Sequence, residues 1–224
     1  MIASRVGMFT AGPQAFDDNP LRAGGAGLMI GRNRQKLPVT LRPFRPTPTR
    51  MLVVGGVGCA QLLAFRAMAV GARLFIQTAR EQVWDAFLRR GGVGQGAAVF
   101  LPPGENPQVA AGPGRPHLVI VDVGAALGMP PGGGGPWQAT MVVRDDLASW
   151  DEALLQQSDI VVLQRLTEAE SSLAVSVLGI RQAQAWLPQL PDEMVGLVSR
   201  ASLQWVMLGS TPTEQSVLGS VARR

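Results

Sequence analysis

Apolar runs and helical patterns alternate in the middle of this chain with little between them, and that alternation constrains the fold more than any other feature. RMLVVGG reads as a buried strand, CAQLLAFRAMAVG as a helix and ARLFIQTA as a second strand. Strands joined through a helical crossover lie parallel, so the segment predicts a parallel sheet with helices on its faces. The helix is apolar almost all round at Leu62, Leu63, Phe65, Ala69 and Val70, as a covered helix must be, and Gly71 supplies its stop. REQVWDAFLRR follows as an amphipathic helix with Val83, Trp84, Phe87 and Leu88 facing inward, then AAVFLPP as a third strand.

Further along, PHLVIVDVG is the clearest strand, ATMVVRDD a short one and SDIVVLQRL another buried one. Between the last two, DLASWDEALLQQ reads as a helix capped by Asp145 or Asp146. TEAESSLAVSVLG opens with a capping box, Thr167 followed three residues later by Glu170, and RQAQAWLPQLP forms a short helix. EMVGLVSRASLQWVMLG alternates like an antiparallel hairpin. Upstream, LMIGRNRQKLPVTLRPF predicts a small hairpin, Leu28 to Gly31 and Val39 to Leu41, spaced from the core by Pro43, Pro46 and Pro48. Residues 1–26 are glycine-rich and aperiodic and are expected to form a flexible arm. The expected organisation is this arm, a short β element with a basic, proline-rich linker over 27–50, and one α/β domain over 51–224. Its fold class is a three-layer sandwich with a mostly parallel sheet and a C-terminal antiparallel hairpin.

Composition narrows the function. At 224 residues, 46% hydrophobic and 16% charged, the chain can bury a full core and is no disordered tail. One cysteine, Cys59, excludes an internal disulfide framework and a cysteine-based zinc site and fits a reducing compartment. One histidine, His117, leaves a single candidate base for triad chemistry, directly after a proline at a strand start. MIASRVGMFTAG lacks the apolar segment of a signal peptide. The longest apolar stretch, Met51 to Phe65, is broken by glycines and Gln61 and falls short of the ~20 residues that span a bilayer. A cytoplasmic protein is expected, at most peripheral to the inner face of a membrane.

Between the first strand and helix stands GGVGCAQL, from Gly55. A phosphate-binding loop of pattern GxxxxGK[ST] wraps phosphates in backbone N–H groups, neutralises them with Lys and holds magnesium with Ser or Thr. Gly55, Gly56 and Gly58 fit its first half, but Ala60, Gln61 and Leu62 stand at the last three positions. The phosphate cation and the magnesium hydroxyl are both lost, and hydrolysis by the usual route with them. Read as a dinucleotide turn, Gly56, Gly58 and Gln61 match two glycines of three, and Arg80 after FIQTA could meet a 2′-phosphate of NADP. The glycines could equally serve only a tight turn.

Taken in order, LMIGRNRQKLPVTL, RMLVVGGVGCAQLLAFRAMAVGA, RPHLVIVDVG, SDIVVLQRL, SSLAVSVLGI and LPQLPDEMVGLVSR resemble the motor domain of FtsK/HerA-type ATPases and conjugative coupling proteins over residues 27–212. The resemblance implies a P-loop NTPase (RecA/FtsK-like) fold, with Asp122 at the Walker B position and Gln164 at the sensor position. Val123 stands where the family carries the carboxylate that polarises water, so the chain looks like a pseudoATPase. It also looks like an actinobacterial protein associated with type VII secretion, where such motors occur with degenerate modules.

The function expected is a non-catalytic scaffold or regulatory component of a membrane-associated secretion or translocation machine, with protein partners and no required cofactor. Its vestigial nucleotide site would comprise Gly55, Gly56, Gly58, Ala60, Gln61, Asp122 and Gln164. Two alternatives stay open: an NADP- or nucleotide-binding protein using the Gly55–Gly58 turn, and a nucleic-acid or anionic-membrane binder. The latter would use Arg32, Arg34, Lys36, Arg42, Arg45 and Arg50, a stretch with no acidic residue. Trp84, Trp137, Trp150, Trp186 and Trp205 are candidate core anchors or contacts.

Overall fold

A computed structural model describes residues 27–94, 96–124, 134–199, 202–219 and 221, so the expected arm over 1–26 lies outside the described residues. The chain forms one ten-stranded sheet in the order β2-β1-β10-β9-β8-β3-β7-β6-β4-β5. The strands are β1 (Leu28–Arg32), β2 (Pro38–Leu41), β3 (Thr49–Val54), β4 (Arg73–Thr78) and β5 (Ala98–Phe100), then β6 (His117–Asp122), β7 (Gln138–Arg144), β8 (Ile160–Leu163), β9 (Met194–Ser199) and β10 (Ser202–Met207). From β8 to β5 every neighbouring pair is parallel. From β8 outward to β2 every pair is antiparallel. The expected C-terminal hairpin is β9–β10, and the upstream hairpin β1–β2 extends the same sheet beyond it.

The helices are α1 (Val57–Ala69), α2 (Glu81–Arg90), α3 (Glu152–Gln157), α4 (Glu168–Leu178) and α5 (Pro212–Leu218). They cover both faces, because alternate strand residues point to opposite sides. Met51 and Val53 join a core with α1, α2 and α5, whereas Leu52 and Val54 join another with α3 and α4. This is the three-layer α/β architecture expected. α4 begins with the Thr167–Glu170 capping box and ends at Gly179, whose φ of +69° only glycine adopts freely.

Three local expectations are corrected, and one helix is added. Val83 is exposed on α2, whereas Trp84 and Phe87 are fully buried in the core and Leu88 packs against it, half-buried. RQAQAWLPQLP forms two 3-10 turns, Arg181–Ala183 and Leu187–Gln189, rather than one helix. Neither Asp145 nor Asp146 caps the helical segment before β8. A 3-10 turn, Ser149–Asp151, leads into α3, and Asp151 accepts the Ala148 N–H at 3.1 Å. α5 lies beyond the elements that the apolar periodicity predicts, although Thr211, Pro212 and Glu214 give it a capping box with proline in the first turn.

Candidate functional site

In parallel α/β sheets ligands bind beyond the carboxyl ends of the strands, so the candidate site is made of the residues at and just past the ends of β3, β4, β6, β7 and β8. The turn after β3 is short. α1 begins at Val57, so only Gly55 and Gly56 separate strand from helix, and the Cys59 N–H already donates to the Gly56 carbonyl at 3.0 Å. Gly58, Ala60 and Gln61 therefore belong to the helix rather than to a loop around an anion. Ala60 is buried, and Gln61, 3% exposed, points toward α2 and donates to the Val83 carbonyl at 3.1 Å. The position where a phosphate-binding lysine would stand thus serves as a tie between two helices.

The mouth of the turn is occupied from within. The Gln164 side-chain oxygen accepts the Gly56 N–H at 2.8 Å, and its amide donates to the Val221 carbonyl at 2.8 Å. The Gly55 N–H goes to the Arg144 carbonyl at 2.8 Å. Gly55 has a φ of +151°, and a Cβ there would collide with the Gln164 amide. The glycine thus admits a neighbouring side chain at the place where a phosphate oxygen would otherwise approach. Cys59 is a small buried filler whose thiol is pushed up to about 12 by burial, only partly offset by Arg66, which leaves it protonated and unreactive.

Asp122 ends β6 and is equally engaged. Its carboxylate accepts from Trp84 Nε1 at 2.6 Å, from Arg80 Nε at 2.8 Å and terminal nitrogen at 2.6 Å, and from the Thr78 hydroxyl at 3.3 Å. Three of these donors fall on Oδ2 and one, from Arg80, on Oδ1, so a magnesium ion at either oxygen would compete with Arg80. Arg80 reaches on to Asp145, at 2.8 and 3.0 Å. The Asp122 hydrogen bond raises its guanidinium above the usual arginine value, against burial and with help from Asp145. In the NADP alternative Arg80 would face a ribose phosphate; here its donors are turned on two carboxylates.

Strand order separates the remaining candidates. β7 lies between β3 and β6, so the groups between the glycine turn and Asp122 are Arg144 and Asp145 at its end; Gln164 ends β8, on the far side of β3. Arg144 is buried and donates to Asp151 at 3.0 Å. The roles of Arg80 and Trp84 were not legible, since Asp122, 42 and 38 positions away, meets them only through the sheet register. Among the described residues, no three His, Cys, Asp or Glu side chains gather as a metal site, and no helix is long and apolar enough to cross a membrane.

The basic stretch is distributed along the β1–β2 hairpin and the segment after it. Arg32, Arg34 and Lys36 surround the β1–β2 turn, whereas Arg42 follows the other end of β2, a four-residue strand of roughly 13 Å. Arg42 and Arg45 line a cavity of about 920 Å³ with Phe44 and Trp137 at the amino ends of the central strands. Arg45 pairs with Asp159 at 3.1 Å, and the Arg50 backbone N–H donates to the same carboxylate at 2.8 Å. His117 is buried at that end of the sheet, and burial, Arg73 and Arg115 hold its pKa below the usual value.

No protein-family model and no curated protein matches the sequence. Solved structures do match. VirB4 of Thermoanaerobacter pseudethanolicus superposes with a TM-score of 0.60 at 9% identity, over 86% of this chain and 98% of that one. A protein described as an ATPase gives 0.50 at 12% identity, over 87% of this chain and 91% of that one. The cytoplasmic domain of the type VII secretion ATPase EccC from Thermomonospora curvata gives 0.49 at 11% identity, over 87% of this chain and 30% of that longer one. Identities this low speak to architecture alone. With the strand order and the glycine turn after β3, the superpositions on VirB4 and on the protein described as an ATPase give the chain a mixed α/β, P-loop-NTPase-like fold.

Proposed function

We propose that this chain is a non-catalytic, P-loop-derived scaffold or regulatory component of a membrane-associated secretion or translocation machine of the type VII kind. One observation carries the reading: the Gln164 amide holds the Gly56 N–H in a turn where Gln61 is turned into the core. The engaged carboxylate of Asp122 supports it, because Arg80 donates to both of its oxygens and a magnesium ion would compete with that guanidinium at either one. The choice of machine follows from the sequence resemblance to FtsK/HerA-type motors, and the fold shared with VirB4 supports the architecture that resemblance presupposes. The partners are proteins of that machine, met at the inner face of the membrane.

Thermal unfolding with ATP·Mg²⁺, ADP, NADP⁺ and NAD⁺, from micromolar to millimolar, tests this. A ligand at 100 times its Kd stabilises by about 2.7 kcal/mol, a readily measured rise in Tm. No shift with any of the four is expected. A dose-dependent shift with one would overturn the scaffold reading and restore a nucleotide-using protein.

A further inference from the structure

β1 and β10 are neighbours in the sheet but meet through a single register pair, Arg32 with Met207, whereas β10 pairs with β9 from Ser202 to Met207. Along a strand the N–H and C=O of one residue point to one side and those of the next to the other. The Leu208 N–H donates to the Glu193 carbonyl at 2.8 Å, on the β9 side, so the groups of Gln204 and Val206 face β9 as well. Those of Leu203 and Trp205 face outward with the Met207 carbonyl, which stands so close to β1 that a Cβ on Gly31 would lie 2.0 Å from its oxygen. Past Met207, no strand among the described residues fills the lane beside Leu203 and Trp205.

We propose that this edge of β10 receives an extended segment of another protein as an added antiparallel strand, with apolar residues on the side of Leu203 and Trp205 and polar ones beside Ser202 and Gln204. Backbone chemistry selects that occupant. Outward N–H and C=O groups two residues apart are matched by another extended backbone, whereas a helix has satisfied its own groups internally. The direction follows from β1, which runs antiparallel to β10 in the same lane. Side chains set the pattern: Leu203 and Trp205 are half-buried on the α3–α4 face, and Ser202 and Gln204 are exposed on the other. The edge is also unguarded. β5 is only three residues long and β2 opens with Pro38, which blunts both outer edges of the sheet, but SLQWVM carries neither charge nor proline. The β1–β2 turn, closed by the Asn33 N–H on the Leu37 carbonyl, stands at one end of the lane. A single chain can bend away there, whereas a second copy would drive the joined ends of its β9 and β10 against that turn. The edge extends the scaffold reading but rests on different residues, so nucleotide binding at the glycine turn would overturn that reading and leave this one standing.

Amide hydrogen exchange of the full chain, followed by ¹⁵N NMR, tests this. In the free chain the Leu203 and Trp205 amides are expected to exchange at least tenfold faster than those of Gln204 and Val206, which face β9. The probe is a short synthetic peptide alternating valine and threonine, added to millimolar concentration, with a counterpart whose interior amides are N-methylated. The unmodified peptide should bind saturably and slow Leu203 and Trp205 at least tenfold, and the methylated one should bind at least tenfold more weakly. Leu203→Pro removes an outward N–H and spares those facing β9, so it should weaken binding to the same degree; the methylated peptide decides the matter on the wild-type chain if that variant does not fold. Four results would overturn the proposal. Slow exchange at Leu203 and Trp205 in the free chain at every concentration would mean that its own chain covers the edge. Slowing that sets in as the protein is concentrated would give the edge to a second copy. Equal binding of the methylated peptide would mean that side chains alone hold it, and no response to the unmodified peptide would remove the site.

Discussion

The carboxyl end of the parallel strands and the outer edge of β10 make opposite use of polar groups. At the first, Asp122, Arg80, Asp145 and Gln164 are bound to one another or to the backbone beside them, and a ligand would have to break those contacts to enter. At the second, the backbone groups of Leu203 and Trp205 face a lane that no strand fills among the described residues. A site inherited from a fold is closed once its own side chains satisfy it. A strand edge with unmatched backbone groups is open.

The largest effect should come from emptying the closed region. Asp122→Ala strands the Arg80 guanidinium and the Trp84 N–H. Loss of a buried partner of this kind costs about 3 kcal/mol, the low end of the usual range because Arg80 is 31% exposed, and urea unfolding would register it. Gly55→Ala should cost about 2 kcal/mol through the clash with Gln164 and the unfavourable φ. In a Gln164→Ala background that cost should fall by about 1 kcal/mol; strict additivity would mean that the amide does not fill the turn. Gln164→Ala alone should cost about 1 to 2 kcal/mol, for the Gly56 N–H and Val221 carbonyl it leaves unpaired.

The Arg66–Glu214 ion pair between α1 and α5 gives a pH signature. Burial works to raise the Glu214 carboxyl, but the Arg66 guanidinium and the Thr211 amide outweigh it and hold the folded value below the usual 4.5. A lowered folded value means stability fully present above about pH 4.5 and lost as pH falls through the folded value. Acid titration of Tm should therefore be steeper in the wild type than in Glu214→Gln. The smallest effect belongs to the strand with the open edge: Met207→Asp should change stability by no more than about 0.5 kcal/mol, because the side chain is half exposed. A larger loss would show that Met207 serves the fold.

The strands, the α4 capping box and the β9–β10 hairpin were legible because each is a local pattern of apolar period, turn residue or cap. The glycine turn was legible as a turn and as a degenerate loop, but its conformation was not. Whether Gly58 to Gln61 wrap an anion or continue a helix depends on what fills the mouth, and Gln164 comes from 108 positions away. Asp122 could be placed at a strand end, whereas its partners Arg80 and Trp84 required the register of β4 against β6. The layout of the basic stretch was not legible for a related reason: a hairpin folds within it and sets Arg42 about one short strand away from Arg32, Arg34 and Lys36.

The most direct test of the closed turn follows the Gly56 and Gly58 backbone amides by ¹⁵N NMR while ATP·Mg²⁺ is added to millimolar concentration. Both signals are expected to stay where they are, with the Gly56 amide slow to exchange with solvent because Gln164 holds it. Saturable movement of both amides, with faster exchange at Gly56, would contradict a closed turn and make it a working nucleotide site.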